Sequence, residues 1–230
     1  MQKSWDLSIP LQDKKCILNK SLQKSFSAVL SNFGVKVNSL LTKKYSQGRF
    51  EVFPERPELD IIHVKQEHTS IIKEYTSESL EDIVADGIIT TFECLSNKAL
   101  AIKTADCLPI LFLGDKVALV HAGWKGLANG ILDHKLLTQE SWSHILIGPS
   151  IHHYEVQPDF KDNFPNSPHF SQRNKALFFN LQAEALDQLK ELFPQSKIED
   201  TRVCTWKNSR YNSYRRDKTK QRNWNIFIKD

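Results

Sequence analysis

Residues 99–126 read ALAIKTADCLPILFLGDKVALVHAGWKG, a stretch in which short apolar runs are separated by polar or glycine-containing turns. Runs this uniformly apolar are typical of strands that are covered on both faces. We predict strands at 99–103, 108–113 and 117–120, and a fourth at 87–92, where the sequence is GIITTF. These residues therefore predict a sheet that is buried on both sides.

Helical periodicity predicts three helices around these strands. Apolar residues fall on one helical face at 19–33, which Gly34 ends, and at 181–192, which Pro194 ends. A further helix is predicted at 124–137, although three glycines lower its intrinsic propensity. Because strands outnumber helices, the sequence predicts a layered α+β architecture. The remaining strand candidates lie at 59–65, 71–72, 145–147 and 224–228.

The composition is that of an ordinary globular chain of 230 residues, with 40% apolar and 25% charged residues. These fractions argue against wholesale disorder. No run approaches the roughly 20 consecutive apolar residues of a membrane helix, and no apolar segment of a secretory signal follows Met1. Because repeats and Gly/Ser-rich linkers are absent from the sequence, we expect one domain over residues 1–230. We expect it in the cytoplasm, with reduced thiols at Cys16, Cys94, Cys107 and Cys204.

Positive charge is concentrated near the end of the sequence. The net charge is +4, and eight basic residues lie from Arg202 to Arg222, against the single acid Asp217. Clustered bases interleaved with aromatic residues can grip a nucleic-acid backbone. No groove-reading motif accompanies them, so we expect a small anion site or a solvated basic face rather than a nucleic-acid interface.

Cys107 and His121 each lie at the end of a predicted strand and are the first candidates for chemistry. If those strands are neighbours, the thiol and the imidazole emerge close together at a sheet edge. The pair could ligate a metal such as zinc, or act as a nucleophile with its base. A buried cysteine beside a hydrogen-bonded histidine, with no catalytic role, explains the same two residues equally well.

His68 offers a third ligand, just after the strand predicted at 59–65. Three protein ligands with one open position are typical of a catalytic zinc site. His63 is a competing candidate, but its neighbours Ile62 and Val64 favour a histidine packed within the sheet. The residues alone therefore leave open a metal site, a catalytic thiol and simple packing.

Two further segments favour anion binding. Residues 123–126, GWKG, lie at a predicted helix start, where the backbone can approach a ligand closely and Lys125 adds a charge. Their spacing matches neither a Walker loop nor a dinucleotide fingerprint. Tyr214, Arg215 and Arg216 can hold a phosphate or carboxylate and stack on a ring. Tight helix packing and a surface ion pair are the structural alternatives for these two segments.

Five segments are more informative together than separately: TADCLPILF (104–112), VHAGWKGLANGI (120–131), IGPSI with YEV (147–156), CT (204–205) and SYRRDK (213–218). In this order they closely resemble the YfiH family of laccase-domain, or multicopper polyphenol oxidase-like, proteins, now regarded as purine nucleoside phosphorylases. The resemblance runs from about Asp86 to the C-terminus, and its Thr-Ala-Asp-Cys and His-Ala-Gly-Trp motifs are highly specific.

The resemblance implies a single-domain α/β/β/α sandwich with mixed sheets. It also implies a metal, zinc with copper as an alternative, held by His68, Cys107 and His121. Family members are similar in cleaving adenosine, inosine, guanosine and methylthioadenosine with phosphate to the free base and the sugar 1-phosphate, and adenosine can also be deaminated. The expected partners are a purine nucleoside and phosphate, with no membrane and no nucleic acid. The resemblance predicts no particular oligomeric state.

The resemblance also implies roles for individual residues. The catalytic group would contain Cys107, His121, Arg215 and Arg216, with the two arginines as phosphate holders. Substrate would be bound by Lys125, Tyr214, Arg215 and Arg216. The N-terminal ~50 residues diverge from the family pattern. Lys125 also occupies the usual arginine position, where it keeps the charge but loses the bidentate fork.

Two other functions compete with this one. Cys107 and His121 could form a cysteine-type hydrolase that acts on cell-wall precursors. A non-catalytic relative could instead bind a polyanion through the basic C-terminal segment. We exclude copper oxidase chemistry, because a multicopper oxidase needs about ten histidines around separate copper centres. This chain has eight histidines, and they are scattered.

Overall fold

The computed structural model describes residues 38–230, which form three β-sheets and several short helices. The helix predicted at 19–33 and Cys16 lie outside the described residues. The strands are β1 (Leu41–Tyr45), β2 (Gly48–Phe53), β3 (Ile61–Ile62), β4 (Ile72–Tyr75), β5 (Gly87–Thr91), β6 (Ala99–Thr104), β7 (Leu108–Gly114), β8 (Lys116–Ala122), β9 (Trp142–Ile147), β10 (His153–Val156), β11 (Phe170–Arg173), β12 (Ala176–Asn180), β13 (Lys197–Asp200) and β14 (Asn223–Lys229). The α-helices are α1 (Phe92–Leu95), α2 (Trp124–Ala128), α3 (Lys135–Thr138), α4 (Leu181–Leu192) and α5 (Tyr214–Asp217), and 3₁₀ helices occupy Ile131–Asp133 and Pro158–Asn163.

A six-stranded mixed sheet lies at the centre, with the order β13-β9-β7-β8-β5-β4. Its middle strands, β7 and β8, come from the apolar runs at 108–113 and 117–120, as predicted. Ile110 and Phe112 belong to one apolar cluster, whereas Leu111 and Leu113 belong to another. Because alternate side chains of a strand point to opposite faces, this sheet is buried on both sides.

A five-stranded sheet, with the order β1-β2-β14-β6-β3, packs against one face of the six-stranded sheet. Phe50, Leu100 and Phe227 from the five-stranded sheet join Ile88 and Leu119 from the six-stranded sheet in one fully buried cluster. The strand predicted at 224–228 is therefore confirmed as β14. It lies between β2 and β6, and it pairs antiparallel with both.

The other face of the six-stranded sheet is covered by α4 and by a three-stranded antiparallel sheet, β10-β12-β11. Leu181, Ala185 and Leu189 lie on the buried face of α4, as the periodicity predicts. Phe179 of β12 and Phe112 of β7 belong to the same cluster as these helical residues. The predicted α+β class with mixed sheets is confirmed.

Two predicted elements differ from the structure. The helix predicted at 124–137 is broken into α2, a 3₁₀ turn and α3, because Gly130 adopts a left-handed conformation with φ of 74°. The strand predicted at 59–65 is limited to Ile61–Ile62, and Lys65 instead bridges to Val84 in parallel. The chain leaves the five-stranded sheet here and turns toward the six-stranded one.

Cys107 and Cys204 carry free thiols, as expected. Cys94 is disulfide-bonded, so the prediction of reduced thiols is wrong for this residue. None of the helices within residues 38–230 has the length and apolar character needed to cross a bilayer.

We predict that Leu111→Ala lowers the free energy of unfolding by about 2–5 kcal/mol, because Leu111 is fully buried between the two larger sheets and its removal leaves a cavity. The matched control is Leu59→Ala, since Leu59 is 38% exposed, and its effect should stay within about 0.5 kcal/mol. Urea unfolding of both variants tests this prediction. Equal midpoints would contradict the packing described above.

Candidate metal and substrate site

Three side chains from distant parts of the sequence meet at one end of the six-stranded sheet. The potential ligand atoms of His68, Cys107 and His121 all lie within 4.8 Å of one another. Cys107 Sγ is 3.8 Å from His68 Nε2, and the centroids of the two imidazole rings are 4.8 Å apart. The structure thus brings together all three residues that the sequence analysis expected to ligate a metal.

The pairing of β7 with β8 accounts for the position of the thiol. Leu108 pairs with Ala122, so Cys107, immediately before β7, lies beside Gly123. A Cβ atom on Gly123 would come within 3.2 Å of Cys107 Sγ and 3.0 Å of the His68 ring. A glycine at this position therefore leaves room for the side chains of two of the three potential metal ligands.

A buried carboxylate, Asp86, orients the two histidine ligands. Its Oδ1 is 2.6 Å from His121 Nδ1 and accepts a hydrogen bond from the His68 backbone N–H at 3.1 Å. Its Oδ2 accepts from the Thr69 backbone N–H at 2.5 Å and from the Thr69 hydroxyl at 2.7 Å. Because Asp86 engages Nδ1 of His121, Nε2 is the nitrogen left to bind a metal.

Charge within this cluster favours the ionised forms of the thiol and the carboxyl. Burial opposes ionisation of Cys107, but the neighbouring His121 and His68 outweigh burial and lower the pKa of the thiol to about 6. Burial likewise opposes ionisation of Asp86, but hydrogen bonds from His121 and Thr69 lower the pKa of its carboxyl below the usual value. Burial lowers the pKa of His121, but the neighbouring Cys107 and Asp86 outweigh burial and raise it to about 9. Without a metal, Cys107 and His121 thus form a thiolate–imidazolium pair.

Both ligand-bearing loops contain a non-glycine residue with positive φ. His68 has φ of 59° and Asp106, next to Cys107, has φ of 94°. Such conformations cost roughly 1–3 kcal/mol and persist only where neighbouring contacts fix them. The Gln66 side chain supplies such contacts for the His68 loop, since it donates to the Lys103 carbonyl at 2.8 Å and accepts from the Lys103 N–H at 2.7 Å.

Asp106 fixes the Cys107 loop in a comparable way. Its Oδ1 accepts from the Thr205 hydroxyl at 2.8 Å, and its Oδ2 accepts from the Arg215 backbone N–H at 2.7 Å. The Asp106 carbonyl also accepts from the Ile151 N–H at 2.9 Å. One residue therefore connects the thiol-bearing loop to three segments that lie far away in the sequence.

The three ligands fit a metal ion. A thiolate and two imidazoles are donors that zinc prefers, and they also suit copper. A carboxylate that receives the second ring nitrogen of a ligating histidine is the usual support for such a site, and Asp86 occupies that position. Three protein ligands would leave a coordination position for water or substrate.

The triad lines a cavity of about 840 Å³ that also contains Trp124, Tyr154, Tyr214 and Arg215. The Arg215 guanidinium carbon lies 4.7 Å from the centroid of the Tyr154 ring, and Nη1 donates to the Glu155 carbonyl at 2.9 Å. The Tyr154 hydroxyl is buried and has no hydrogen-bond partner among the described residues. A cation and an unpaired hydroxyl are thus available to a ligand near the triad.

Arg216 and Lys125 lie elsewhere, although the resemblance gave both of them substrate-binding roles. The Arg216 guanidinium donates to the backbone carbonyls of Thr205 and Tyr211 and contacts Asp217 at 2.7 Å. Lys125 is exposed, and its Nζ lies 5.6 Å from the Trp124 ring centroid. Neither residue is among those that line the cavity.

His63 is buried and stays apart from the triad. Its Nε2 is 3.5 Å from Glu81 Oε1, and its ring packs edge-on against Trp224 with centroids 6.0 Å apart. This agrees with the packed, in-sheet histidine favoured by its apolar neighbours.

Sequence reasoning missed Asp86 and Asp106 as organising residues. Asp106 was visible inside the Thr-Ala-Asp-Cys motif, where a buried acid beside a reactive thiol is a usable signal. Asp86 is an isolated acid immediately before a strand, and only the β5–β8 pairing puts it opposite His121. Local sequence carries no sign of that contact.

We predict that Asp86→Asn weakens zinc binding by about 10–100-fold, because an amide cannot hold the His121 imidazole as a carboxylate does. Competition with a fluorescent chelator measures the affinity. Asp115→Asn, at an exposed turn, is the matched control and should bind zinc like the parent protein. Unchanged affinity in Asp86→Asn would show that the buried carboxylate does not support a metal site.

Comparison with known proteins gives consistent results. A sequence profile described as multi-copper polyphenol oxidoreductase laccase matches residues 48–228. A protein of Aquifex aeolicus named purine nucleoside phosphorylase is 38% identical over 164 residues, which cover 68% of this chain and 77% of that protein. A Shigella flexneri protein named purine nucleoside phosphorylase YfiH is 29% identical over 181 residues, covering 72% of this chain and 71% of the relative.

A solved structure of a Neisseria meningitidis protein superposes with a TM-score of 0.71 at 23% identity, covering 84% of this chain and all of that one. This likeness supports the layered fold. The resemblance found in the sequence is confirmed by these matches, which extend it to most of the described residues. The chain therefore belongs to the multi-copper polyphenol oxidoreductase laccase family, which includes the proteins named YfiH.

Proposed function

We propose that this protein is a zinc-dependent purine nucleoside phosphorylase that cleaves adenosine, inosine, guanosine and methylthioadenosine with phosphate. The observation that carries the proposal is the convergence of His68, Cys107 and His121 on the wall of a cavity that also holds Arg215. The names of the Aquifex aeolicus and Shigella flexneri relatives support this reaction class. Deamination of adenosine is part of the same proposal.

His68, Cys107 and His121 would hold the metal, with Asp86 fixing the His121 ring. When bound, such a metal supplies Lewis acidity that can polarise a purine atom, or acidify a water for deamination. Trp124 and Tyr214 line the same cavity, and aromatic faces of this kind can stack on a purine. The chain thus offers a ligand set and stacking surfaces within one cavity.

Phosphorolysis joins a phosphate oxygen to the anomeric carbon of the sugar and breaks the bond from that carbon to the purine nitrogen. The departing purine takes the electron pair of the broken bond and a proton. The sugar is cationic in the transition state, so a phosphate anion held beside it stabilises that state. We assign phosphate binding to Arg215, because one N–H donates to Glu155 and four remain for a ligand.

Tyr154 is our candidate for a hydrogen bond to the substrate. Burial and the nearby Cys107 thiolate raise the pKa of its hydroxyl, so the group stays protonated. Its hydroxyl has no partner among the described residues, and a buried donor without a partner is costly until a ligand accepts from it.

Arg216 has a different part in this proposal from the one that the resemblance gave it. Its guanidinium satisfies backbone carbonyls of the segment between Cys204 and Tyr211, which leads into α5. We propose that Arg216 positions α5, and therefore Arg215, without touching substrate.

A specific observation favours a second candidate function, a cysteine-type hydrolase. Cys107, His121 and Asp86 form a thiol–imidazole–carboxylate series, with 2.6 Å between Asp86 Oδ1 and His121 Nδ1. This is the arrangement of a nucleophile, its base and an orienting acid. The third group near the thiol, His68, favours the metal site over this alternative, because a hydrolase of this type does not need it.

We predict that Cys107→Ser loses zinc and phosphate-dependent base release together. Replacing a ligand should lower turnover by more than the ~10–100-fold that follows loss of a supporting hydrogen bond. Elemental analysis and an assay of adenosine and inosine, with and without phosphate, measure both effects. Inosine formed from adenosine without phosphate reports deamination.

Cys204→Ser is the matched control, because Cys204 is a free thiol that does not line the cavity. It should keep both the metal and the activity. A metal-free Cys107→Ser protein with full turnover would contradict the proposed function.

Alkylation of the thiol distinguishes the two candidates. In the metal-stripped protein, Cys107 should react with iodoacetamide with an apparent pKa of about 6, below the ~8.5 of an ordinary cysteine. The rate should therefore already be maximal at neutral pH and fall below pH 6. Peptide mass spectrometry identifies the modified residue.

Zinc should protect Cys107 if the thiolate is a ligand. Rapid alkylation of the zinc-loaded protein, with activity lost in step and no metal requirement, would instead support the hydrolase.

A further inference from the structure

The cavity has a second wall, formed by the five-stranded sheet and by residues next to its strands β2 and β14. Lys103 of β6 pairs across the sheet with Trp224 of β14, and both residues line the cavity together with Arg56 and Arg222. The Arg56 guanidinium carbon lies 5.4 Å from the centroid of the Trp224 ring, and Lys103 Nζ lies 5.5 Å from it. We call Arg56, Lys103 and Arg222 the cationic wall.

The side chains of the cationic wall form no direct ion pair with a described residue, although the exposed Glu55 lines the same cavity. Among residues 38–230, no carboxylate lies within 4.0 Å of the side-chain nitrogens of these three residues. The Arg222 guanidinium donates to the carbonyls of Thr219 and Gln221. Burial, Arg56 and Arg222 together lower the pKa of Lys103, against an opposing effect of Glu81. A bound anion would relieve this repulsion.

The cationic wall and the metal triad line the same cavity, with Lys103 on β6 of the five-stranded sheet and His121 on β8 of the six-stranded sheet. Lys103 precedes Cys107 by four residues, so their Cα atoms are at most about 14 Å apart. Gln66, two residues before His68, bonds to the Lys103 backbone and so ties the His68 loop to β6. Arg215 lies on the triad side, over Tyr154. A single ligand can therefore contact both walls while Arg215 holds a separate phosphate.

The cavity volume is consistent with a ligand larger than a nucleoside. At about 840 Å³, it lies toward the upper end of the ~300–1,000 Å³ that small-molecule sites span. The cationic wall supplies guanidinium and ammonium donors, which recognise phosphate by charge and, for arginine, by a bidentate fork.

We propose that the cationic wall binds a phosphate group carried by the substrate itself, so that the site accepts purine nucleoside 5′-phosphates in addition to nucleosides. The inference deepens the proposed function and rests on it for the place of the purine, at the triad. It adds a second anion position, distinct from the one assigned to Arg215.

Binding of three probes to the purified full-length protein tests this proposal: adenosine, adenosine 5′-monophosphate and inorganic phosphate, measured by calorimetry at fixed ionic strength. We expect the monophosphate to bind at least about tenfold more tightly than adenosine, as one charge-assisted contact predicts. Lys103→Met and Arg222→Gln should each reduce this preference several-fold and leave adenosine affinity unchanged. Lys190→Met, on the exposed face of α4, should keep the full preference.

Three results would overturn the proposal: equal affinity of the parent protein for the two adenosine compounds, a preference that survives both variants, and loss of inorganic phosphate binding in both variants. The last result would mean that the wall holds the co-substrate. Thermal melts of each variant identify misfolding, and the comparison in the parent protein does not depend on any variant.

Parallel phosphorolysis assays separate this inference from the proposed function. Turnover of adenosine without preference for the monophosphate contradicts only the inference. Tight, Lys103-dependent binding of the monophosphate without phosphorolysis of any nucleoside contradicts only the proposed function.

Discussion

The carboxylate of Asp86 is the contact on which the candidate site depends. It is fully buried, and it is shared between a backbone loop that carries one ligand and a strand that carries another. Removing a carboxylate from water is costly unless hydrogen bonds satisfy its oxygens. Here both oxygens are engaged, so the desolvated charge holds the His68 loop in a conformation that His68 alone would disfavour. The geometry of the triad is thus a property of three segments acting together.

Much of the fold could be predicted because the hydrophobic pattern of the sequence indicates which segments are buried. The runs that became β5, β7 and β8 were visible as apolar segments, and α4 was visible as a helical stripe ended by Pro194. Sheet membership was not visible, because nothing in the run at 99–103 distinguishes a strand of one sheet from a strand of the other. The break at Gly130 was also missed, since a glycine lowers helix propensity but does not show at which residue the helix ends.

Only part of the candidate site could be predicted from the sequence. Cysteine and histidine are chemically distinctive, so Cys107, His121 and His68 could be named from their residue types and motifs. Arg215 and Arg216 point in different directions, as adjacent residues of a helix do. Because the sequence does not show which direction faces the cavity, it could not distinguish the roles of the two arginines. The supporting acids were missed for a further reason. Their roles arise from strand register and from contacts such as that between Asp106 and Thr205, which are 99 positions apart.

The place of β14 has a consequence for biosynthesis. It follows every other described strand in the sequence, yet it lies between β2 and β6. A nascent chain that has not yet emerged as far as Asn223 therefore has an open gap in the middle of this sheet, with two unpaired strand edges and an exposed apolar surface. Trp224 and Arg222 also arrive with this segment. The cavity is therefore incomplete until β14 has paired with β2 and β6.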